Sequence, residues 1–186
     1  MLNMSWILAV CKGNNKIGAY LNDISGAFDK VFAPYLLAKL QRAGVGETFL
    51  NFLASYLAPR RGQVLVQGAA SDEFGIDDSV YQGTVLGPPL WNTFFADVDE
   101  PARSTGGKEK MFADDLSVFQ PFDRLTPPEE CKAVLKKCKD NVHKWGKRNR
   151  VTFDAAKEHM IILHPSEHHE EAFKLLGCII DPDLRM

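Results

Sequence analysis

The chain has 186 residues, of which 45% are hydrophobic and 25% are charged, and its formal net charge is −2. This length and hydrophobic content are typical of one globular domain with a sizeable core. No apolar run is long enough to span a bilayer. The near-neutral charge does not by itself indicate a nucleic-acid-binding protein.

The four cysteines are scattered and form no CxxC pair. This spacing argues against a zinc ribbon and against a disulfide framework. The first residues hold a short apolar stretch without a basic leader or a small-residue cleavage site, so we identify no signal peptide. Reduced cysteines then predict an intracellular protein with no membrane association, in either the nucleus or the cytoplasm.

The first predicted element is a buried strand over Ile17–Ile24, which is mostly apolar and carries Asp23 near its end. Pro34 fits the first turn of a helix that stops at Gly44. A second helix is predicted over Glu47–Leu57. Its buried side is predicted to hold Phe49, Leu50, Leu53, Tyr56 and Leu57.

A short strand is predicted next over Gln63–Val66, followed by a turn over Gly68–Ser71. The segment Ile76–Tyr81 is short and carries its own acid pair. The segment Gln82–Pro89 contains two glycines and two prolines. Such a composition predicts a shaped loop whose backbone can approach a ligand closely. An aromatic-rich helix is predicted over Leu90–Val98.

The segment Met111–Phe119, with the sequence MFADDLSVF, places two adjacent carboxylates inside an apolar run. Burying unpaired charge is costly, and a bound cation is the simplest compensation. The apolar flanks predict two short strands with Asp114 and Asp115 at the turn between them. The alternative is an ordinary aspartate-containing turn between surface strands.

The last third of the chain is predicted to begin with a helix over Glu129–Arg148. Val134, Leu135, Cys138, Val142 and Trp145 form its inner stripe. The stretch Lys132–Arg150 carries eight basic residues against one acid, which suits either a phosphate backbone or the solvated face of a helix. Short strands are predicted over Val151–Phe153 and Met160–Leu163, followed by a charged turn and a hairpin over Phe173–Ile180. Helices interrupt the strands irregularly, which predicts an α+β fold.

The predicted chemistry depends on two acidic sites that are far apart in the sequence. If the strand that carries Asp23 pairs with the strands around Asp114 and Asp115, the carboxylates converge at one end of a sheet. Three hard oxygen ligands suit Mg²⁺. Two such ions about 3.5–4 Å apart support in-line phosphoryl transfer. The residues therefore predict a two-metal phosphoryl or nucleotidyl transferase.

Five segments in order resemble the conserved motifs of reverse transcriptases, above all those of non-LTR (LINE-type) retrotransposons. LNDISGAFDKV, VYQGTVLGPPLWNTFF and MFADDLSVF resemble motifs A, B and C; WGKRNRVTFDAAKEHMIIL resembles the motif D region, and FKLLGCIID the hairpin after it. RRGQVLVQGAASDEF resembles the segment that precedes motif B. The resemblance covers roughly residues 17 to 181.

The resemblance implies roles for individual residues. Asp23 and Asp114 would bind two magnesium ions, with Mn²⁺ as a substitute; Asp115 would be the adjacent acid, and the Ile24 carbonyl would add a ligand. Phe28 would be the steric gate that excludes ribonucleotides, although plain core packing is its alternative.

The remaining implied roles concern substrate contacts and proton transfer. Gln82 and Gly83 would touch the nucleotide and template, and Arg61 would contact template backbone. Lys157 would donate a proton to the leaving pyrophosphate; its alternative is a solvated lysine at a strand edge. The implied partners are an RNA template, a DNA primer and deoxynucleoside triphosphates.

The resemblance also implies a division of the chain into an α+β polymerase palm with partial fingers. The parts are a fingers remnant (1–16), motif A (17–31), a helical fingers-side insertion (32–79), motifs B and C (80–122), and motif D with the LG hairpin (123–186). Three departures are an asparagine at 22, a proline at 89 and a tryptophan at 91. The expected function is an RNA-directed DNA polymerase. The alternatives are a catalytically inactive nucleic-acid-binding palm remnant of a truncated element and an RNA-dependent RNA polymerase.

Overall fold

A computed structural model describes residues 16–77, 79–163, 173–175 and 178–180. The predicted fingers remnant, except its last residue, and the charged turn at 164–171 lie outside the described residues. The chain forms two compact units. We call Met1–Ile24, Val98–Trp145 and Phe153–Met186 the sheet unit, and Ser25–Asp97 with Gly146–Thr152 the helical unit.

The sheet unit is built on a four-stranded antiparallel sheet. Its strands are β1 (Lys16–Asn22), β6 (Lys108–Phe112), β7 (Asp115–Phe122) and β8 (His159–Leu163), in the order β6-β7-β1-β8. β1 pairs with β7 from Lys16↔Phe122 to Asn22↔Leu116. β1 is therefore a central strand, and every one of its residues is buried.

Gly18 lets β1 pack closely against its neighbours. A β-carbon at Gly18 would lie 2.6 Å from Phe122 Cε2 and 3.2 Å from both methyl carbons of Leu135. Leu135 belongs to the long helix α5 (Pro128–Asn149). Because successive side chains of a strand alternate between faces, Gly18, Tyr20 and Asn22 share the face that Leu135 contacts.

Two helices accompany the sheet, α4 (Asp99–Arg103) and α5, whose last residues belong to the helical unit. The predicted inner stripe of α5 is confirmed, because Leu135, Cys138, Val142 and Trp145 are buried. The predicted hairpin near the end of the chain is confirmed as the antiparallel pair β9 (Phe173–Leu175) and β10 (Cys178–Ile180). None of the helices in the described ranges is long and apolar enough to cross a membrane.

The helical unit contains α1 (Ala33–Arg42), α2 (Glu47–Tyr56) and α3 (Gly87–Phe95). 3-10 turns lie at Ala27–Lys30 and Ala96–Val98, the latter ending one residue inside the sheet unit. Its two small ladders are β2 (Arg60–Gly62) with β5 (Phe74–Ile76), and β3 (Leu65–Val66) with β4 (Ala69–Ala70). Its fully buried side chains include Leu36, Leu53, Val80, Trp91 and Phe94.

Two local predictions for the helical unit are wrong. Phe49 is 47% exposed and stacks on the equally exposed Phe52, because the first turn of α2 is uncovered and only later residues such as Leu53 are buried. The predicted turn over Gly68–Ser71 includes β4. Short exposed ladders carry little burial pattern, so their bounds are weakly encoded.

Candidate active site

Asp23 lies directly after the central strand β1 and is 8% exposed. Its carboxylate Oδ2 is 2.5 Å from the ammonium nitrogen of Lys157. Its backbone carbonyl accepts a hydrogen bond from the Asp154 N–H at 3.0 Å. The strand end is therefore tied both to the turn before β8 and to the lysine that this turn carries.

Asp114 and Asp115 lie at the tip of the β6–β7 hairpin, as the sequence predicts. Phe112 pairs with Asp115, so the loop between the strands consists only of Ala113 and Asp114. Ala113 has φ +54°, in the left-handed region. Two-residue hairpin loops favour positive φ because it matches the twist of the strands, and glycine usually occupies such a position. The tight loop holds both carboxylates close to the sheet.

The register of β1 and β7 brings the two acidic sites together. Asn22 pairs with Leu116, so Asp23 and Asp115, each one residue further, lie opposite each other. Burial raises the pKa of Asp115, and the charges of Asp23 and Asp114 raise it further, while Lys157 opposes the rise. Like charges directly opposite on paired strands repel. The convergence of the three carboxylates, which the sequence predicts, is therefore present in the fold.

Lys157 balances part of this negative charge. Its hydrogen bond to Asp23 raises its pKa, as do the charges of Asp23, Asp154 and Asp114. The ammonium therefore stays protonated at neutral pH. The lysine side chain is 63% exposed, so it can leave the carboxylate for another anion without disturbing a packed core.

The donor chemistry of this cluster suits a divalent cation, although the side chains do not form a preformed cage. Three carboxylates in mutual repulsion gain from a hard cation such as Mg²⁺. No group of three Asp, Glu, His or Cys side chains within the described ranges is already arranged to hold a metal ion. The ammonium of Lys157, rather than a set of oxygen ligands, contacts Asp23.

The backbone at Ile24 leaves one carbonyl available near this cluster. Ile24 forms an antiparallel bridge with Phe153. The bridge bonds run from Ser25 N–H to the Thr152 carbonyl and from Asp154 N–H to the Asp23 carbonyl. In this pattern the bridged residue itself exchanges no hydrogen bond with its partner. The Ile24 carbonyl is therefore not used by the bridge.

The other predicted site residues belong to the helical unit. The ring of Phe28 stacks on Trp91, with centroids 5.9 Å apart and planes at 24°. A β-carbon at Gly87 would lie 3.2 Å from Phe28 Cε1, so the glycine makes room for the ring. Phe28 remains half-buried. Phe28 therefore combines ring packing against Trp91 with partial exposure to solvent.

Gln82 and Gly83 are exposed in the loop before α3, and Gly83 has φ +78°. Glycine adopts this left-handed conformation without a steric penalty. Arg61 lies on β2, is 74% exposed and pairs with Glu73 at 2.9 Å. Gln82, Gly83 and Arg61 are therefore accessible to solvent, and their described contacts do not identify a ligand.

Sequence reasoning missed a polar group beside the site. Tyr20 is fully buried in the apolar strand β1, and its hydroxyl donates a hydrogen bond to Glu158. The signal was available, because a phenol inside a buried strand needs a polar partner. What the sequence lacked was the identity of that partner, 138 residues away.

Comparisons with known proteins agree with this geometry. A family model described as reverse transcriptase (RNA-dependent DNA polymerase) matches residues 8–180. The RNA-directed DNA polymerase from mobile element jockey of Drosophila funebris is 28% identical over 185 residues, covering 90% of this chain and 20% of that protein. A probable RNA-directed DNA polymerase from transposon X-element of Drosophila melanogaster is 37% identical over 98 residues, covering 52% of this chain and 11% of that protein.

A solved structure shares the fold. The apo telomerase from Candida tropicalis, truncated from its C-terminal domain, has a TM-score of 0.67 at 12% identity, covering 98% of this chain and 37% of that one. The mixed helices and antiparallel sheet are those of a polymerase palm of the α+β class, which confirms the predicted fold class. The chain belongs to the reverse transcriptase (RNA-dependent DNA polymerase) family.

The jockey and X-element relatives are non-LTR retrotransposon proteins, so the resemblance to that branch is confirmed. The chain spans about a fifth of the length of the jockey proteins that it matches. The family generally uses divalent metals and acts on nucleic acid.

Proposed function

We propose that this chain is the catalytic palm of an RNA-directed DNA polymerase that adds deoxynucleotides to a DNA primer on an RNA template. The observation that supports this most is the cluster of Asp23, Asp114 and Asp115 at one end of the sheet, with Lys157 on Asp23. Clustered like charges destabilise the folded state, and such clusters are concentrated at functional sites, so this cluster favours a functional site.

In this proposal Asp23 and Asp114 hold two Mg²⁺ ions, for which Mn²⁺ can substitute, with Asp115 and the Ile24 carbonyl as further ligands. Bound there, the ions supply activation of the primer hydroxyl and charge stabilisation of the leaving oxygen. Lys157 carries the proton at Nζ that passes to the leaving pyrophosphate. Its raised pKa keeps that proton in place at neutral pH.

Residues of the helical unit select the substrate in this proposal. Phe28 blocks the position of a ribose 2′-hydroxyl with its half-buried ring, which stacks on Trp91. Gln82 and the left-handed Gly83 contact the nucleotide and template, and Arg61 contacts template backbone. The guanidinium of Arg61 is positively charged and suits contact with the phosphate backbone of nucleic acid.

The test is primer extension on an RNA template with deoxynucleotides and Mg²⁺. The full chain should extend the primer, and the double variant Asp114→Ala, Asp115→Ala should lose at least roughly 100-fold in rate. The double variant Asp77→Ala, Asp78→Ala removes another adjacent acid pair and should extend normally. No extension by a folded parent chain would contradict the proposal.

A second candidate function is nucleic-acid binding without catalysis, and the surface of α5 favours it. Lys132, Lys136 and Lys139 of this helix pair with acids. Four further basic side chains of the helix are exposed and have no acidic partner among the described residues: Lys137, Lys144, Lys147 and Arg148. Salt-sensitive RNA binding that persists in Asp114→Ala without any extension would support this candidate, whereas no binding at low salt would eliminate it.

A further inference from the structure

A buried polar cluster centred on Glu158 lies in the sheet unit, and neither the residue roles implied by the resemblance nor the proposed chemistry uses it. The Glu158 side chain is 6% exposed. Its Oε1 accepts a hydrogen bond from the Tyr20 hydroxyl at 2.6 Å and lies 2.6 Å from His143 Nε2. Its Oε2 pairs with the ammonium of Lys139. One carboxylate thus joins a central strand to the helix α5.

The charge state of each group fits this arrangement. Burial alone would raise the pKa of Glu158, but the hydrogen bonds from Lys139, Tyr20 and His143 outweigh burial and lower it. Burial and the hydrogen bond to Glu158 raise the pKa of Tyr20 far above its ordinary value. A neutral phenol therefore donates to an ionised carboxylate, which is a strong type of hydrogen bond.

The cluster continues to the residue beside the catalytic aspartate. The Tyr20 hydroxyl accepts a hydrogen bond from Asn22 Nδ2 at 2.7 Å, and both side chains are buried. Asn22 precedes Asp23 directly in the chain. The amide nitrogen of Asn22 thus has a buried partner in Tyr20, while its Oδ1 is buried without a hydrogen-bond partner among the described residues.

In each of two pairs of successive residues, Asn22 with Asp23 and Lys157 with Glu158, one side chain contacts Tyr20 and the other takes part in the ion pair between Lys157 and Asp23. Asn22 contacts Tyr20 while Asp23 contacts Lys157, and Glu158 contacts Tyr20 while Lys157 contacts Asp23. Asn22 ends β1 and Asp23 follows it directly, whereas Lys157 and Glu158 lie between the turn at Asp154 and the start of β8. The contacts close a ring: Asp23 to Lys157, along the chain to Glu158, through Tyr20 to Asn22, and along the chain to Asp23.

We propose that Glu158 is a positioning residue, which holds the backbone of Lys157 beside Asp23 because Tyr20, Lys139 and His143 hold its own carboxylate in place. A displacement of Glu158 moves the adjacent Lys157, since the two share a peptide bond. Lys139 and His143 are one helical turn apart, so α5 contacts the Glu158 carboxylate through two side chains. The effect on catalysis rests on the proposed function, whereas the mechanical coupling does not.

The experiment measures amide hydrogen exchange and kinetics of the full chain in parallel. The reporters are the Asp154 N–H, which donates to the Asp23 carbonyl, and the Lys157 N–H, which donates to the Asp154 carbonyl. In Tyr20→Phe and Glu158→Gln, exchange at both amides should rise by at least roughly fivefold while exchange in β6 stays unchanged. The rate constant kcat should fall roughly 10- to 100-fold with little change in KM for the nucleotide.

Two helix variants provide a matched comparison that keeps the core intact. Lys139→Gln removes the ion pair of α5 with Glu158, whereas Lys136→Gln removes a nearby exposed ion pair with Asp140. Only the Lys139→Gln variant should accelerate exchange at Asp154 and Lys157.

Three outcomes separate the coupling from its catalytic role. Unchanged exchange at 154 and 157 in Glu158→Gln, or equally faster exchange across the whole sheet unit, would overturn the positioning role. Local acceleration with an undiminished kcat would overturn its importance for catalysis. A folded parent chain that extends no primer would contradict the proposed function instead, and the exchange data would still decide whether Glu158 restrains Lys157.

Discussion

Replacing Ala113 with glycine should stabilise the protein, although most alanine-to-glycine changes destabilise one. Ala113 has φ +54° in the two-residue loop that carries Asp114. The left-handed conformation costs an L-residue roughly 1–2 kcal/mol, which glycine avoids. Glycine loses about 0.4–1 kcal/mol more chain entropy on folding. The difference predicts a gain of about 0.5–1 kcal/mol in the free energy of unfolding.

Urea unfolding and thermal melting of the full chain measure this gain. For a chain of this size it corresponds to a rise in Tm of about 1–4 °C. Ala70→Gly is the matched control, because Ala70 is an exposed hairpin alanine without positive φ. It should lose about 0.5–1 kcal/mol. An Ala113→Gly variant that melts at or below the parent would refute the assignment of strain to this loop.

Three further predictions concern the core, the charge cluster and the proposed gate. Gly18→Ala forces a methyl group against Phe122 and should lower stability by about 1–3 kcal/mol in urea unfolding; an unchanged midpoint would contradict the close packing. Burial and the charges of Asp23 and Asp114 raise the pKa of Asp115 in the folded chain. The contribution of Asp115 to the free energy of unfolding is therefore most favourable below its unfolded pKa, and it is lost as pH rises through its folded pKa. Asp115→Asn should therefore unfold at higher urea than the parent in chelator at about pH 7, with the difference vanishing towards about pH 4; a pH-independent difference would argue against this cause. Phe28→Ala should raise ribonucleotide incorporation relative to deoxynucleotide incorporation by at least roughly tenfold in competitive extension, while equal discrimination would leave Phe28 with core packing alone.

The strained loop, the repelling carboxylates and the Lys157 ammonium on Asp23 occur at the same end of the sheet. Strain and like-charge repulsion lower stability, and such features concentrate where function needs them. Asp115→Asn removes part of the like-charge repulsion, and Ala113→Gly removes the backbone strain of the loop. Variants that gain stability there, and lose polymerase activity at Asp115, would show that the site is maintained for its chemistry.

The sequence alone determined the elements whose signals are local. The hairpin around Asp114 follows from two apolar arms and a short polar tip, and the inner stripe of α5 follows from its helical spacing. Asp23 could be placed at the end of a buried strand for the same reason. These patterns are defined by residues within a short window of the chain, so the elements can be predicted without knowing which other elements they pack against.

Only the tertiary structure decided which distant groups meet. The register of β1 with β7 places Asp115 opposite Asp23, and one step of slippage would turn every side chain of the strand to the other face. Exposure is equally non-local: Phe49 fits a helical inner face by spacing but is uncovered. The contact of Tyr20 with Glu158 bridges 138 residues, and that of Lys157 with Asp23 bridges 134. Each depends on how strands and helix pack together, which a one-dimensional pattern does not contain.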